Sequence, residues 1–255
     1  MDLYFKLLQK PIFSARDIID EYSKISGARS AIKHLIQKGM VARIRNNMYT
    51  CISGENLSPV ANRFQIASSI TKSSYVTHHT AFEYYGITDQ VFHEVYVASL
   101  EPFSEFDFDG YSFRYVRSAS LDGVEKPSMM GNIRVTNKER TVIDSINDMD
   151  AIGGIEEVMD CISNIQRLRE DYLLRYLAAY GRQFLYQKAG YLLQKNKTAL
   201  GLSDAFFEKC HENIGKSKRY LSSDYCSGKY DSTWQLVIPE GIYNMKNGCK
   251  CRSQR

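Results

Sequence analysis

The stretch KISGARSAIKHLIQKGMVARIRNNMYTC, residues 24–51, decides the reading of this chain. Ala28, Ile32, Leu35 and Ile36 recur at i, i+4, i+7 and i+8, the apolar stripe of an amphipathic helix. The predicted helix runs from Gly27 to Lys38, with Ser26 as its cap and Gly39 at the position where a C-terminal glycine belongs. Its other face carries Arg29, Ser30, Lys33 and Gln37. A hairpin follows if Asn46-Asn47 is a two-residue turn, because asparagine tolerates the positive φ such turns require. In a regular register Arg45 pairs with Met48, Ile44 with Tyr49 and Ala42 with Cys51. Arg43 and Arg45 then share the face opposite Ala42, Ile44, Tyr49 and Cys51.

Two shorter helices are expected before this stretch. The first, 2–9, places Leu3, Leu7 and Leu8 together, with Pro11 beyond its end. The second begins at Ser14-Ala15-Arg16-Asp17, a capping-box pattern, and turns Ile18, Ile19 and Tyr22 inward. Three helices and a basic hairpin form a winged helix-turn-helix, whose last helix enters the major groove while its wing reaches the flanking backbone. The fold expected is therefore α+β: a winged helix at 1–52, a mixed α/β region at 59–150, a mainly helical region at 151–240 and a flexible basic tail at 241–255.

Charge supports the nucleic-acid reading. Residues 1–52 carry nine Lys/Arg and four Asp/Glu, a net of +5, while the whole chain carries +4. All the positive excess thus lies in the first fifth of the chain, and Lys24–Arg45 holds six basic residues and no acid. A solvated basic surface would show the same sum, and winged helices also bind proteins. The order of the elements and the acid-free run favour a polyanion partner. The candidate DNA-binding residues are Arg29, Ser30, Lys33, Gln37, Arg43, Arg45, Asn46, Asn47 and Tyr49, and the partner is double-stranded operator DNA.

Beyond a polar segment at 53–58, read as a linker, the pattern alternates. Helices are expected at 59–70 and 78–85, strands at 75–77, 91–99 and 132–136, and a hairpin around Asp109-Gly110. Thr136-Asn137-Lys138-Glu139 reads as a second capping box, opening a helix in which Arg140 and Asp144 can pair at i, i+4. Helical pattern fills 153–213, with breaks near Gln166, Gly181 and Asn196, and a last strand is expected at 234–238.

Several marks in this order carry a resemblance. They are Leu35–Val41 with Arg43, Arg45 and Tyr49, then Tyr75–Phe82 and Gly86, Val135–Asp144, Ala189–Leu193 and Trp234–Val237. The chain resembles the AbiEi-type antitoxins of bacterial abortive-infection systems, transcriptional regulators of viral defence, departing from them at the wing, where Asn46-Asn47 stands in place of a glycine-containing turn. The resemblance implies operator binding, repression of the chain's own operon and later domains that counter a nucleotidyltransferase-like toxin. A stand-alone or ligand-responsive repressor would carry the same winged helix.

Enzymatic signals are weak. Asp107-x-Asp109 has the spacing of a metal-binding carboxylate pair, as a DNA-processing enzyme would need, but no Gly-Ser loop precedes it. Gly215-Lys216-Ser217 lacks the earlier glycine of a P-loop, because Cys210 stands there. Adjacent His78 and His79 diverge by roughly 100° on a helix, which disfavours one shared ion. The six cysteines show no zinc spacing and read as reduced thiols. No catalytic residues, metal or cofactor are expected, nor is a membrane partner: no apolar run approaches the ~20 residues of a membrane helix. The expected location is the cytoplasm.

Overall fold

The computed structural model describes residues 3–127, 131–222 and 227–242. The basic tail, Cys226, Cys249 and Cys251 lie outside the described residues. The chain is α+β, with its C-terminal part mainly helical. It forms two compact units, Met1–Val76 with Phe92–Val135 and Thr77–Val91 with Thr136–Arg255. Neither is continuous in sequence; the chain passes between them after Val76, Val91 and Val135.

Unit 1 opens with helix α1 (Leu3–Leu7), a 3-10 helix (Ala15–Glu21) and helix α2 (Ile25–Gln37), followed by strands β1 (Val41–Arg45) and β2 (Met48–Cys51). Their shared core is Tyr4, Leu7, Phe13, Ala15, Ile18, Ala28, Ile32, Leu35, Val41 and Cys51. The second helix is a 3-10 helix rather than an α-helix, and this corrects its inward face. At three residues per turn Ala15 and Ile18 fall in line and are buried, whereas Ile19 is turned outward and 38% exposed. Asp17 does reach back, accepting from the Ser14 amide and hydroxyl at 2.7 Å each. The segment 53–58 is a closed loop rather than a free linker. Ser53 N donates to Ser58 O and Val60 N to Cys51 O, both at 2.9 Å.

The rest of unit 1 is a sheet with helix α3 (Arg63–Ser69) against it. Its strands are β3 (Tyr75–Val76), β4 (Glu94–Ser99), β5 (Phe106–Phe108), β6 (Tyr111–Arg117), β7 (Val124–Glu125) and β8 (Val135–Thr136). They lie in the order β5-β6-β4-β3-β8-β7. β4 runs parallel to β6, and β3 parallel to β8 through Val76 and Val135. The Asp109-Gly110 turn joins β5 to β6 with φ of 51° and 77°, the paired positive angles that a two-residue hairpin favours.

Unit 2 holds α4 (His78–Tyr84), α5 (Lys138–Asn147), α6 (Gly154–Ser163), α7 (Glu170–Tyr180), α8 (Gln183–Gln194), α9 (Lys197–Leu200) and α10 (Asp204–Glu212). Strands β9 (Arg219–Tyr220), β10 (Lys229–Asp231) and β11 (Leu236–Ile238) close it in the order β10-β11-β9. The α7 break is set by Gly181, which adopts φ 61° at the C-cap. Trp234 is fully buried and lies on Gly190 of α8, where any side chain would run into the indole. α5 begins one residue later than its expected capping box: Asn137 is the cap, accepting from Arg140 N at 2.9 Å. Glu139 is thereby released to bind Arg169 instead.

Candidate nucleic-acid interface

Helix α2 owes its place to Ala28, Ile32 and Leu35, which are 0%, 1% and 7% exposed. It starts two residues before the expected Gly27, and Lys24 rather than Ser26 is its N-cap, without a side-chain bond. At its other end Gly39 takes φ 71° and Met40 N returns to Leu35 O at 3.0 Å. Arg29, Ser30, Lys33 and Gln37 are all exposed. With 100° per residue, Ser30, Lys33 and Gln37 stand opposite the buried stripe, while Arg29 lies on the flank, roughly 90° from its centre. Ser30 bonds to Ser26 O at 3.0 Å. His34 is also exposed between Ser30 and Gln37. Its spacing from Ser30 and Gln37, four and three residues, is the sequence signal that puts it on this face.

The hairpin departs from its expected register. Arg45 pairs with Met48, but Arg43 faces Tyr49, Ala42 faces Thr50 and Val41 faces Cys51, with the irregularity at Ile44. The cause is spacing: Val41 and Ile44 are both buried, yet residues three apart point to opposite faces of a regular strand. A bulge turns both inward and re-aims the arginines. Arg43 is exposed, its Nε donating to Arg45 O and its Nη2 to Asn46 Oδ1, both at 3.4 Å. Arg45 is half-buried, its guanidinium 5.2 Å from the Phe106 ring centre and 5.9 Å from that of Phe103. The two arginines do not share one face.

The remaining candidates divide similarly. Asn46 is exposed at the turn. Asn47 takes φ 56°, as the turn requires, and its Oδ1 accepts from Ala15 N at 3.4 Å. Tyr49 is half-buried, stacked on Phe13 with ring centres 6.0 Å apart, and exchanges two backbone hydrogen bonds with it. Together α2 presents Arg29, Ser30, Lys33, His34 and Gln37, and the turn presents Arg43 and Asn46. Arg45 and Tyr49 are used in packing.

The weaker chemical signals also find places. Asp107 accepts from Ser112 Oγ at 2.6 Å across the β5–β6 hairpin. His78 Nε2 lies 3.2 Å from Asp148, and His79 Nδ1 lies 3.4 Å from Glu157, so the two imidazoles address different carboxylates. Burial pushes the Cys51 thiol up to about 11 and Cys161 and Cys210 up to about 12, the direction opposite to nucleophile activation. In unit 2 the Asp144 carboxylate gathers Arg140 Nε at 3.3 Å, Tyr180 Oη at 2.8 Å and Thr77 Oγ1 at 3.4 Å. Burial and the adjacent Asp144 charge hold the Tyr180 hydroxyl far above the usual tyrosine range. No helix among the described residues is long and apolar enough to cross a membrane.

No family model and no curated protein matches the chain. A solved structure does: the RV2827C protein from Mycobacterium tuberculosis is 14% identical, with a TM-score of 0.62 over 92% of this chain and 89% of that one. At such identity the likeness is one of fold alone.

Proposed function

We propose that the chain is a DNA-binding repressor whose residues 1–52 act as a winged helix-turn-helix, with α2 in the major groove and the β1–β2 turn against the flanking backbone. The observation that carries this reading is the outer face of α2. Arg29, Ser30, Lys33, His34 and Gln37 are exposed there, within an acid-free run from Lys24 to Arg45. Such a helix offers cations for phosphates and amide or guanidinium groups for base edges. The order of α1, the 3-10 helix, α2 and the hairpin supports the same assignment.

We further infer an antitoxin role: repression of the chain's own operon, with the later regions countering a nucleotidyltransferase-like toxin. This rests on the resemblance carried by Tyr75–Phe82, Val135–Asp144 and the later marks. Residues from the first two motifs, Thr77, Arg140 and Asp144, meet in one buried network of unit 2. That packing gives these three residues a role in the framework of unit 2.

The test uses the full chain, because Val60 N and Ala61 N bond to Cys51 O and Thr50 Oγ1 and a truncation after residue 56 would strip these contacts. Fluorescence anisotropy with DNA from upstream of the chain's reading frame should show saturable binding that survives excess random DNA. Lys33→Ala/Gln37→Ala should remove that preference with an unchanged melting temperature. Equal affinity of wild type and variant for both DNAs would overturn the α2 assignment. Co-expression with the adjacent reading frame tests the antitoxin role: rescue of growth supports it, and growth arrest despite abundant folded protein refutes it.

A further inference from the structure

Unit 1 contains a cleft of about 310 Å³ between the start of α3 and the β5–β6 hairpin, lined among others by Arg63, Phe64, Phe108, Asp109, Tyr111 and Phe113. Its volume falls at the small end of ligand sites, which span about 300–1,000 Å³. The walls combine three chemistries. Phe64, Phe108 and Tyr111, each half-buried, offer aromatic surface, and behind them Phe113 is fully buried and stacked on Phe106 at 4.8 Å and 8°. Arg63 supplies a cation whose position is set from two sides: its guanidinium lies 4.9 Å from the Tyr111 ring centre and 5.0 Å from that of Phe64. Its Nη1 donates to Tyr111 Oη at 2.9 Å. Asp109 adds a carboxylate at the hairpin turn, exposed at the cleft.

We propose that this cleft binds a guanine mononucleotide. Aromatic walls stack on a flat heterocycle. A guanidinium pairs with phosphate through charge-assisted hydrogen bonds. A carboxylate accepts from two neighbouring N–H groups, and among the common bases guanine presents such a pair, its ring N–H beside its exocyclic amine. Adenine offers only an exocyclic amine, next to an acceptor that would repel Asp109. The site is separate from the outer face of α2, and its test contains no DNA, so its failure and that of the repressor reading are independent.

Isothermal titration calorimetry of the full chain with GMP, AMP, guanosine and inorganic phosphate decides the matter. GMP should bind at one saturable site, and guanosine and AMP each roughly tenfold more weakly, for lack of the charge-assisted phosphate bonds and of the carboxylate pair respectively. Arg63→Gln should bring GMP down to the level of guanosine while leaving guanosine unaffected. Asp109→Asn, which the positive φ tolerates, should abolish the preference over AMP. If melting shows that Arg63→Gln is unfolded, Phe108→Ala on the half-buried hairpin takes its place and should weaken GMP and guanosine alike. No heat at millimolar GMP, equal affinity for AMP, or unaltered binding in the folded variants would overturn the proposal.

Discussion

The Arg45 guanidinium lies over the Phe106 ring, 5.2 Å from its centre, while Arg43, two residues earlier on the same strand, is exposed beside the turn. A single bulge at Ile44 thus separates two arginines that a regular hairpin would present together.

A consequence is a split in salt dependence. Each phosphate contact contributes about 0.9 to the slope of log affinity against log salt. Arg43→Ala should therefore lower that slope by about 0.9 without affecting the melting temperature. Arg45→Ala should leave the slope intact and lower stability by ~0.5–2 kcal/mol, the range for a cation over an aromatic ring. Salt titrations and melting curves of both variants check this, and a slope change in Arg45→Ala alone would reverse the assignment.

Arg29 lies on the flank of α2, so its expected role differs from that of Lys33 and Gln37. If it reaches a guanine edge, Arg29→Ala costs about 1–3 kcal/mol on the preferred site and relaxes selectivity at one base pair. Binding to a panel of single-base operator variants distinguishes this outcome. A uniform loss across the panel would show that Arg29 holds backbone phosphate.

Gly190→Ala should destabilise unit 2, because the added methyl would collide with the enclosed Trp234 ring. Overpacking of this kind costs about 1–3 kcal/mol. Trp234 is the single tryptophan of the chain, so its fluorescence reports unit 2 directly in a urea titration. An unshifted midpoint would mean that the indole has room to move.

Glu139 should contribute stability that fades in acid. Burial alone would raise its carboxyl, but the Arg169 side chain and amide, at 3.0–3.1 Å, outweigh burial and hold it below the usual glutamate range. A carboxylate with a depressed folded pKa stabilises above its unfolded pKa, and that contribution is lost as pH falls through the folded value. Glu139→Gln should thus be weaker than wild type near neutrality, and the gap should narrow below about pH 4. Chemical denaturation at both pH values measures it, and a gap independent of pH would assign the loss to packing instead.

Much of this protein is legible in its residues. The stripe of Ala28, Ile32 and Leu35, the Gly39 stop, the Asp109-Gly110 turn and the Arg140–Asp144 pair all follow from periodicity or short-range chemistry, and local rules act without knowledge of the rest of the chain. The acid-free run at 24–45 likewise belongs to the sequence itself. Tertiary structure decided what local rules leave degenerate. Ile19 faces outward because the segment winds as a 3-10 helix, a choice made by what packs against Ala15 and Ile18. The hairpin register turned on burying Val41 and Ile44 together, and that bulge sent Arg45 to an aromatic pair some sixty residues away in sequence. Glu139 reaches Arg169, thirty residues further on, because Asn137 rather than Thr136 caps α5, and the guanidinium adds charge-assisted hydrogen bonds to those of backbone amides. Where partners are far apart in sequence, only the folded chain chooses between them.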